Sequence, residues 1–443
     1  MEIIASDCSP TTIEDVSIGF HKALKKIEDK CVPAELLEER YASSSAAGGL
    51  RMIAIGLVPE LTMEAANRAA LGAGAKVIKT YSFNLSKKQV KEIEDLRPDI
   101  ILLAGGTDGG EKNTIIHNAK MIVESSIKAP VIMAGNSAAA DSILDIFEQS
   151  NKPLYVTENV MPFINKLNVD SVKEIIREIF IKKIVVAKGL SKINDFIKGI
   201  ALPTPLAVLE AAKTMADLFS EGVVLVDVGG ATTDVHSITD GLPCDPQIVL
   251  KGLPEPFAKR TVEGDLGVRH NISSIVDAVG KERLLKNANV TDAVDSNTVD
   301  IILGQWASEA SALPKDYFEK SIDCGLAISA VEVATDRHAG YLEEIWTPAG
   351  KILVQYGKDL SLVGAIIGTG GPVINSERPW EILEKATYSN NNPFVLKPKK
   401  PKYYVDSSYV VFSIGLIAQI NPKAAKEIAQ NYLKKMEVKL KYA

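Results

Sequence analysis

The segment Leu225-Val226-Asp227-Val228-Gly229-Gly230-Ala231-Thr232-Thr233-Asp234 restricts what this chain can fold into more than any other stretch. The apolar run Val223–Val228 reads as a buried strand. It delivers an aspartate, meets two glycines, and is followed by a second strand over Thr232–Ile238. Glycines at Gly229 and Gly230 let backbone N–H groups approach phosphate oxygens closely. Thr232 and Thr233 add hydroxyl donors. Asp227 and Asp234 flank the turn and are expected to hold Mg²⁺ through water, because Mg²⁺ gives up its water reluctantly. The plain alternative is a β-hairpin with a Gly-Gly turn and polar strand positions. A second strand-to-glycine turn, Ile366-Ile367-Gly368-Thr369-Gly370-Gly371-Pro372, stands far downstream. On its own it fits a tight strand–helix turn; as the second of an ordered pair it points to the other end of a nucleotide.

Around these turns the chain alternates strands and helices. From Tyr41 to about Gly189 the strand candidates are Lys76–Tyr81, Asp99–Ala104, Val131–Ala134 and Leu154–Thr157. Helical stretches Ser86–Leu96, Asn113–Ser126 and Ser137–Gln149 lie between them, which is the pattern of a parallel sheet built from βαβ units. Lys173–Lys188 reads as a long amphipathic helix closing that block. Glu2–Ser6 reads as a short strand, and Thr11–Thr12 with Glu14–Asp15 as a cap for a helix over Val16–Lys30. Beyond Pro203, helices are expected at Thr204–Phe219, Ser321–His338, Asp406–Ile420 and Lys423–Lys435. Strands are expected at Glu343–Thr347, Lys351–Gln355 and Ala365–Ile367. Leu253–Arg269 reads as mixed loop and helix, Asn271–Leu313 as polar helix, and Asn390–Lys402 as a loop.

Composition excludes several function classes. The 443 residues include 50 Lys+Arg against 56 Asp+Glu, a net charge of −6, with no long basic run. That is a poor match to nucleic acid or an anionic membrane. Hydrophobic residues at 46% and charged residues at 24% describe globular chain rather than disorder. No apolar run approaches the length of a membrane span, and Met1–Pro10 lacks the basic start and apolar stretch of a secretory signal. The four cysteines, Cys8, Cys31, Cys244 and Cys324, form no CxxC pair, which fits a cytoplasmic setting and gives no zinc or disulfide framework. There is no GxxxxGK[ST], HExxH or GxSxG, and no GxGxxG after the first strand.

The DVGGATTD hairpin resembles the second phosphate motif of the actin-like ATPases, and the IIGTGGP turn resembles their adenosine motif. Pro203–Ala212 and Ser413–Ala418 are similar to the first and second interlobe helices of that group, and the four stand in its order. The chain resembles the MutL/GlmL family more closely still, in Ser43–Leu50, Ile55–Pro59, Leu103–Gly110 and Lys259–Asp265. What this resemblance implies is an α/β fold with two ribonuclease H-like lobes closing on Mg-ATP. Lobe I would comprise 1–45, the interlobe helix 200–221 and the returning helices 406–443. A parallel α/β domain would be inserted at 46–199, and lobe II would span 222–405. The implied activity is ATP-dependent reactivation of an adenosylcobalamin-dependent mutase such as glutamate mutase. The implied site joins Asp227 and Asp234, as metal and catalytic carboxylates, to Gly229, Gly230, Thr232, Thr233, Glu263, Gly264, Gly368, Thr369, Gly370 and Gly371 as nucleotide contacts. The family opens with a hairpin of the type Asp-x-Gly-Ser-x-x-Thr, whereas Met1–Ser6 is similar to the strand after it. The expectation is therefore slow hydrolysis by the chain as it stands, with a non-hydrolysing mutase-binding scaffold as the alternative.

Three weaker features complete the survey. Gly105–Gly110 follows a strand and precedes a helix, so it is either an anion-binding loop or a plain βα connection. Glu263-Gly264-Asp265 is either a cleft segment or a capped helix start. Asp336-Arg337-His338-Ala339-Gly340 approaches the cobalamin pattern Asp-x-His-x-x-Gly, but its glycine comes one residue early and a capped helix end explains it. His236 either faces the cleft or is packed within its strand.

Overall fold

The computed structural model describes the chain except at residues 1, 10–14, 32, 34, 35, 45–49, 71, 72, 74, 165, 187–195, 198–200, 253, 254, 291–295, 349 and 437–443. It is a mixed α/β fold with several sheets, and it divides into two compact units, Glu2–Leu206 and Ala207–Ala443.

In the first unit, helix α1 (Val16–Glu28) is capped by Asp15, whose carboxylate accepts from Ser17 N at 2.9 Å. Asp15 belongs to the segment expected to cap this helix, whereas Thr11, Thr12 and Glu14 lie outside the described residues. Strand β1 (Ala42–Ser44) pairs in parallel with β7 (Ala201–Pro203). Between them runs β2 (Leu50–Gly56), α2 (Pro59–Ala70), β3 (Ala75–Ser82), α3 (Lys87–Leu96), β4 (Ile100–Leu103), α4 (Asn113–Val123), β5 (Val131–Met133), α5 (Ala140–Glu148), β6 (Leu154–Val156) and α6 (Asp170–Val186). Five of these strands form one parallel sheet in the order β3-β2-β4-β5-β6. Both faces are covered, as a parallel sheet requires. Met52 and Ala54 of β2 pack with α2 and α6, while Ile53 and Ile55 pack with α3, α4 and α5. That is the alternation of a strand with period two.

In the second unit, α7 (Thr204–Ala216) leads to β8 (Val223–Val228), β9 (Thr233–Ile238), β10 (Val249–Lys251) and β11 (Ala258–Glu263). Helices α8 (Ile272–Val279), α9 (Lys281–Asn287), α10 (Ser296–Ser308) and α11 (Tyr317–His338) follow. The rest is β12 (Tyr341–Thr347), β13 (Gly350–Tyr356), β14 (Ala365–Thr369), α12 (Gly371–Ile374), α13 (Pro379–Glu384), β15 (Lys402–Val405), α14 (Val411–Ala418), α15 (Pro422–Tyr432) and β16 (Lys434–Lys435). The main sheet runs β11-β9-β8-β14-β15-β16, antiparallel from β11 to β8, parallel through β14 and β15, and antiparallel at β16. A small sheet, β10-β13-β12, stands beside it in sequence. Val224, Val226 and Val228 join Ile366 and α11 in one large core, so alternate residues of β8 anchor the sheet to its longest helix.

Several expectations change. Glu2–Ser6 is not a strand, and Ile4 at 88% exposure buries no apolar face that would hold one. Leu253–Arg269 contains no helix among its described residues; Ala258–Glu263 is β11, because pairing along the whole of β9 outweighs its weak local preference. Glu263–Asp265 therefore ends a strand rather than starting a helix, and the next helix begins at Ile272. The last expected helix pair starts later, at Val411, because Asp406 turns the chain ahead of it. Leu50–Gly56, absent from the expected strands, is an interior strand of the first unit's sheet, between β3 and β4.

Helices α7 and α14 meet where a Cβ on Gly415 would lie 1.7 Å from Ala207 O. No rotamer relieves a clash with a backbone carbonyl. Gly415→Ala should therefore destabilise the second unit by about 1–3 kcal/mol, the usual cost of overpacking. All three tryptophans, Trp306, Trp346 and Trp380, lie in this unit, so urea unfolding followed by tryptophan fluorescence reads it directly. An unchanged midpoint would show that the helices do not touch there.

Candidate functional site

The site is set by strand pairing. Strand β8 lies between β9 and β14, and the register places Asp227 opposite Asp234 on one side and Thr369 on the other. Residues paired this way share a face of the sheet. Both glycine turns therefore leave the sheet at the same end. A Cβ on Gly370, at φ +91°, would lie 2.2 Å from Val228 O and 2.8 Å from Asp227 Oδ1. Only glycine lets the second turn pass so close to the first strand.

The first turn is closed by Gly229 N donating to Thr232 O at 2.9 Å. Its outer side is braced by the segment after β11, where Val268 N donates to Gly229 O and both Arg269 N and His270 N donate to Gly230 O. The N–H groups of Gly230, Ala231 and Thr232 find no acceptor among the described residues. Consecutive free amides in a turn form an anion-binding concavity. The two threonines separate: Thr233 is fully buried with its hydroxyl donating to Leu266 O at 2.8 Å, whereas Thr232 remains partly exposed.

Three carboxylates surround this end. Asp234 accepts from Arg260 Nη2 at 2.7 Å through Oδ2, while its buried Oδ1 has no hydrogen-bond partner among the described residues. Asp406 accepts from Thr369 Oγ1 at 2.9 Å and from Val410 N and Val411 N at 2.8 and 3.0 Å, which fixes the start of α14. Burial, with the Asp234 charge beside it and Asp406 nearby, pushes the Asp227 carboxyl up to about 7, against the opposing pull of Arg260. Burial also raises Asp406, opposed by the hydrogen bonds it accepts. Tyr409, half exposed, holds φ +53° just before α14.

Between the two turns opens a cavity of about 530 Å³. Gly230 and Gly371 line it together with Arg269, Lys320, Cys324 and Arg378. Arg269 is held by Asp323 at 2.5 Å and lies over the Trp306 ring at 4.9 Å. A Cβ on Gly371 would meet nothing closer than 4.0 Å, so this glycine leaves open space that faces the cavity wall.

The other expected contacts are placed as follows. Gly368 backs onto the core, where a Cβ would strike Leu383 at 2.6 Å. Thr369 is 3% exposed with its hydroxyl spent on Asp406. Glu263 binds Arg337 at 2.7 Å beside Asp265, and Gly264 lies in the turn between them. His338 ends α11 fully buried between Ser237 Oγ at 2.8 Å and Thr261 Oγ1 at 3.0 Å, so its ring nitrogens are engaged within the protein and no cobalt ligand is offered. His236 is packed in β9 with no exposure. Among the described residues no group of three or more His, Cys, Asp or Glu is placed to hold a metal ion, and no helix is long and apolar enough to cross a membrane. Arg260 stood in the sequence only within the segment Lys259–Asp265, and Asp406, Arg269, Lys320 and Arg378 were not singled out as site residues. Of these, only Asp406 carried a signal, an acidic residue shortly before a helix.

The chain matches the protein-family model described as MutL protein over residues 1–433. Protein MutL of Clostridium tetanomorphum is 46% identical, over 98% of this chain and 95% of that protein. Among solved structures, a nucleotide-free acetone carboxylase, studied for ATP-dependent acetone carboxylation, is similar at a TM-score of 0.40 and 13% identity, over 92% of this chain and 66% of that one. An ATP-dependent caprolactamase from Pseudomonas jessenii is similar at 0.39 and 13% identity, with the same 92% and 66% coverage. The chain thus spans just under two thirds of each of those two chains.

The raised Asp227 carboxyl makes a pH prediction. Between about pH 4 and 7 the unfolded chain has released this proton while the folded one keeps it, so stability falls as pH rises. Asp227→Asn removes the titration. The second unit of the variant should gain stability over the parent progressively from pH 4 to 7, read by tryptophan fluorescence in urea. A stability difference that does not vary with pH would place Asp227 in a more solvated setting.

Proposed function

The chain belongs to the MutL family, and from that membership and the cleft between the two glycine turns we propose an ATP-binding reactivating factor for an adenosylcobalamin-dependent mutase such as glutamate mutase. The observation that carries the nucleotide part is the convergence of Gly230 and Gly371 on one cavity edged by Arg269, Lys320 and Arg378. A row of unused turn amides, a cavity of nucleoside scale and cationic side chains at its wall suit a phosphate chain attached to a base. In this reading the amides of Gly230, Ala231 and Thr232, with the Thr232 hydroxyl, hold the phosphates. The cavity beyond Gly371 takes the adenosine. Gly229, Gly368 and Gly370 shape the two turns, and Thr233 and Thr369 brace them from within. Glu263 and Gly264 stabilise the flank through Arg337.

The residues present fit Mg²⁺ carried in with the phosphates, and they do not build a cage of their own. Asp227 and the unpartnered Asp234 Oδ1 are hard oxygen donors beside the turn, the type Mg²⁺ takes through its waters. The ion would neutralise phosphate charge. Asp227 must then give up the proton that its burial favours, so nucleotide binding with Mg²⁺ should release protons near neutral pH. Asp234, bridged to Arg260 through Oδ2, would order the water that Asp227 polarises.

The sheet of the second unit, antiparallel at one side and parallel at the other, supports an actin-like lobe at 222–405. The crossing of α7 and α14 at Gly415 supports interlobe helices within 200–221 and 406–443. On the same reading 1–45 belongs to lobe I and 46–199 is an inserted parallel α/β domain.

Gly371→Val is the cleaner test of nucleotide binding, since Gly370→Val would also collide with Val228 O. Gly371→Val should weaken Mg-ATP binding by about tenfold or more, equivalent to 1.4 kcal/mol, with unfolding unchanged; calorimetry checks both. Asp227→Asn should bind ATP but lose any Mg-dependent hydrolysis. Equal affinity in the first variant removes the adenosine assignment, and parent turnover in the second removes the carboxylate's role. Binding without turnover in the parent chain would favour the non-hydrolysing scaffold.

A further inference from the structure

We propose that the first unit carries a second, independent binding site, for a small and mainly apolar ring compound bearing no negative charge, at the carboxyl ends of β2 and β4. This inference does not rest on the nucleotide reading, which concerns only the second unit.

The position follows from topology. In chain order the five parallel strands are β2, β3, β4, β5 and β6, and in the sheet they run β3-β2-β4-β5-β6. The chain leaves β2 toward one edge, through α2, and then crosses to β4 on the other side through α3. Helix α2 packs on one face of the sheet and α3 on the other. The loops after β2 and β4 therefore diverge, and a crevice opens between them at the strands' carboxyl ends. In open parallel sheets this switch point is where ligands bind.

A cavity of about 320 Å³ occupies that crevice, within the range of small-molecule sites. Leu57 and Val58 come from the loop after β2, Leu61 from α2, Gly106 from the loop after β4, and Met161 and Ile164 from the segment after β6. Val58 is 38% and Ile164 76% exposed, so apolar surface continues to the mouth.

The wall is built in advance. Gly105 and Gly106 hold φ values of +128° and +73°, and a Cβ on Gly106 would strike Glu111 O at 2.1 Å. Asn136 takes Gly109 N through Oδ1 and donates to Gly110 O and Glu111 O. Asn159 donates to Gly106 O and to Asp108 Oδ1, both at 3.0 Å. A loop tied this way pays little ordering cost when a ligand enters.

The charged side chains decide the ligand's charge. Asp108 N donates to Pro162 O, Gly109 N to Asn136 and Gly110 N to Thr107 O, which leaves the amides of Gly105, Gly106 and Thr107 without an acceptor among the described residues and able to donate to a polar atom of a neutral ring. Glu111 Oε1 takes Thr114 N at the start of α4, so the helix end already holds a carboxylate. Asp108 stays in its ionised form, held by Ser137 N and Asn159 against the cost of burial. The lining contains Glu111 and no lysine, arginine or histidine. An anion meets repulsion there, whereas a neutral or cationic ring meets apolar walls, with Thr62, Thr107 and Asn159 supplying polar contact.

The test uses the full chain labelled with ¹³C at the methionine methyls. Met161 lines the cavity, and Met215 and Met436 in the second unit serve as internal controls. Indole is titrated as the neutral ring and 2-naphthoate as an anion of similar shape. Indole should shift the Met161 signal saturably and leave Met215 and Met436 in place. The apparent affinity of 2-naphthoate should be lower by about tenfold or more. Leu61→Trp fills the cavity and should weaken indole binding by a similar factor. Val58→Trp, at an exposed position that folding tolerates, should do the same from the mouth and decides the matter if Leu61→Trp does not fold. No shift at Met161 up to the solubility of indole, equal binding of the anion, or undiminished binding in a folded blocked variant each overturns the proposal.

Discussion

The parallel pairing of β8 with β14 is the constraint on which the second unit's chemistry depends. Its register sets Thr369 against Asp227, and the antiparallel pairing with β9 sets Asp234 against Asp227 from the other side. A shift of β8 by one residue would turn Asp227 to the face opposite Asp234 and Thr369 and part the two glycine turns. Two features lock the arrangement. Gly370 admits the close pass over Val228 O that no side chain would permit. Asp406 then ties β14 to α14, accepting from Thr369 and from the first amides of that helix. The cluster of carboxylates is costly by itself, as the raised Asp227 shows. Groups forced together beside two glycine turns, with atoms such as Asp234 Oδ1 that find no partner among the described residues, are what functional sites tend to retain against stability.

Much of this was legible in the residues because local pattern and tertiary structure agree there. Val223–Val228 is apolar at every position but one and was expected as a strand over those same residues. The turn glycines announced close approaches, although the structure divides their work: Gly370 is needed by its neighbour, Gly368 by the core, and Gly371 leaves room at the cavity. Thr233 shows the limit of motif spacing. Neighbouring strand residues point to opposite faces, so two adjacent hydroxyls cannot both serve one ligand from the same side, and Thr233 is spent on Leu266 O. β11 was missed because Ala258–Glu263 has no apolar periodicity; its partner β9, and the Arg260–Asp234 bridge across that pairing, make it a strand. Arg269, Lys320 and Arg378 converge on the cavity from separate parts of the chain, and no spacing rule joins them.

The first unit teaches the complementary lesson. Its strand and helix alternation was plain, yet Leu50–Gly56, an interior strand between β3 and β4, was not among the expected ones. Strand order carries the information that matters there, and order is invisible in a linear pattern. Once β2 and β4 are known to be neighbours, the Gly105–Gly110 loop ceases to be an open choice between anion site and connection. The amides of Asp108, Gly109 and Gly110 are occupied and its carboxylates are in place, so it forms a stiff wall of an apolar crevice. The two units thus use glycine differently. In one, turn amides stand beside cationic side chains and invite phosphate; in the other, Gly105 and Gly106 at positive φ shape a wall whose described charged residue is Glu111.

Photolabelling with 8-azido-ATP in the presence of Mg²⁺, followed by peptide mapping of the full chain, tests the placement of the nucleotide most directly. Label competed by ATP and confined to peptides that line the cavity, within 310–324 or 371–378, is the expected result. Competed label confined to peptides of 2–206, or label that excess ATP does not displace, would contradict it.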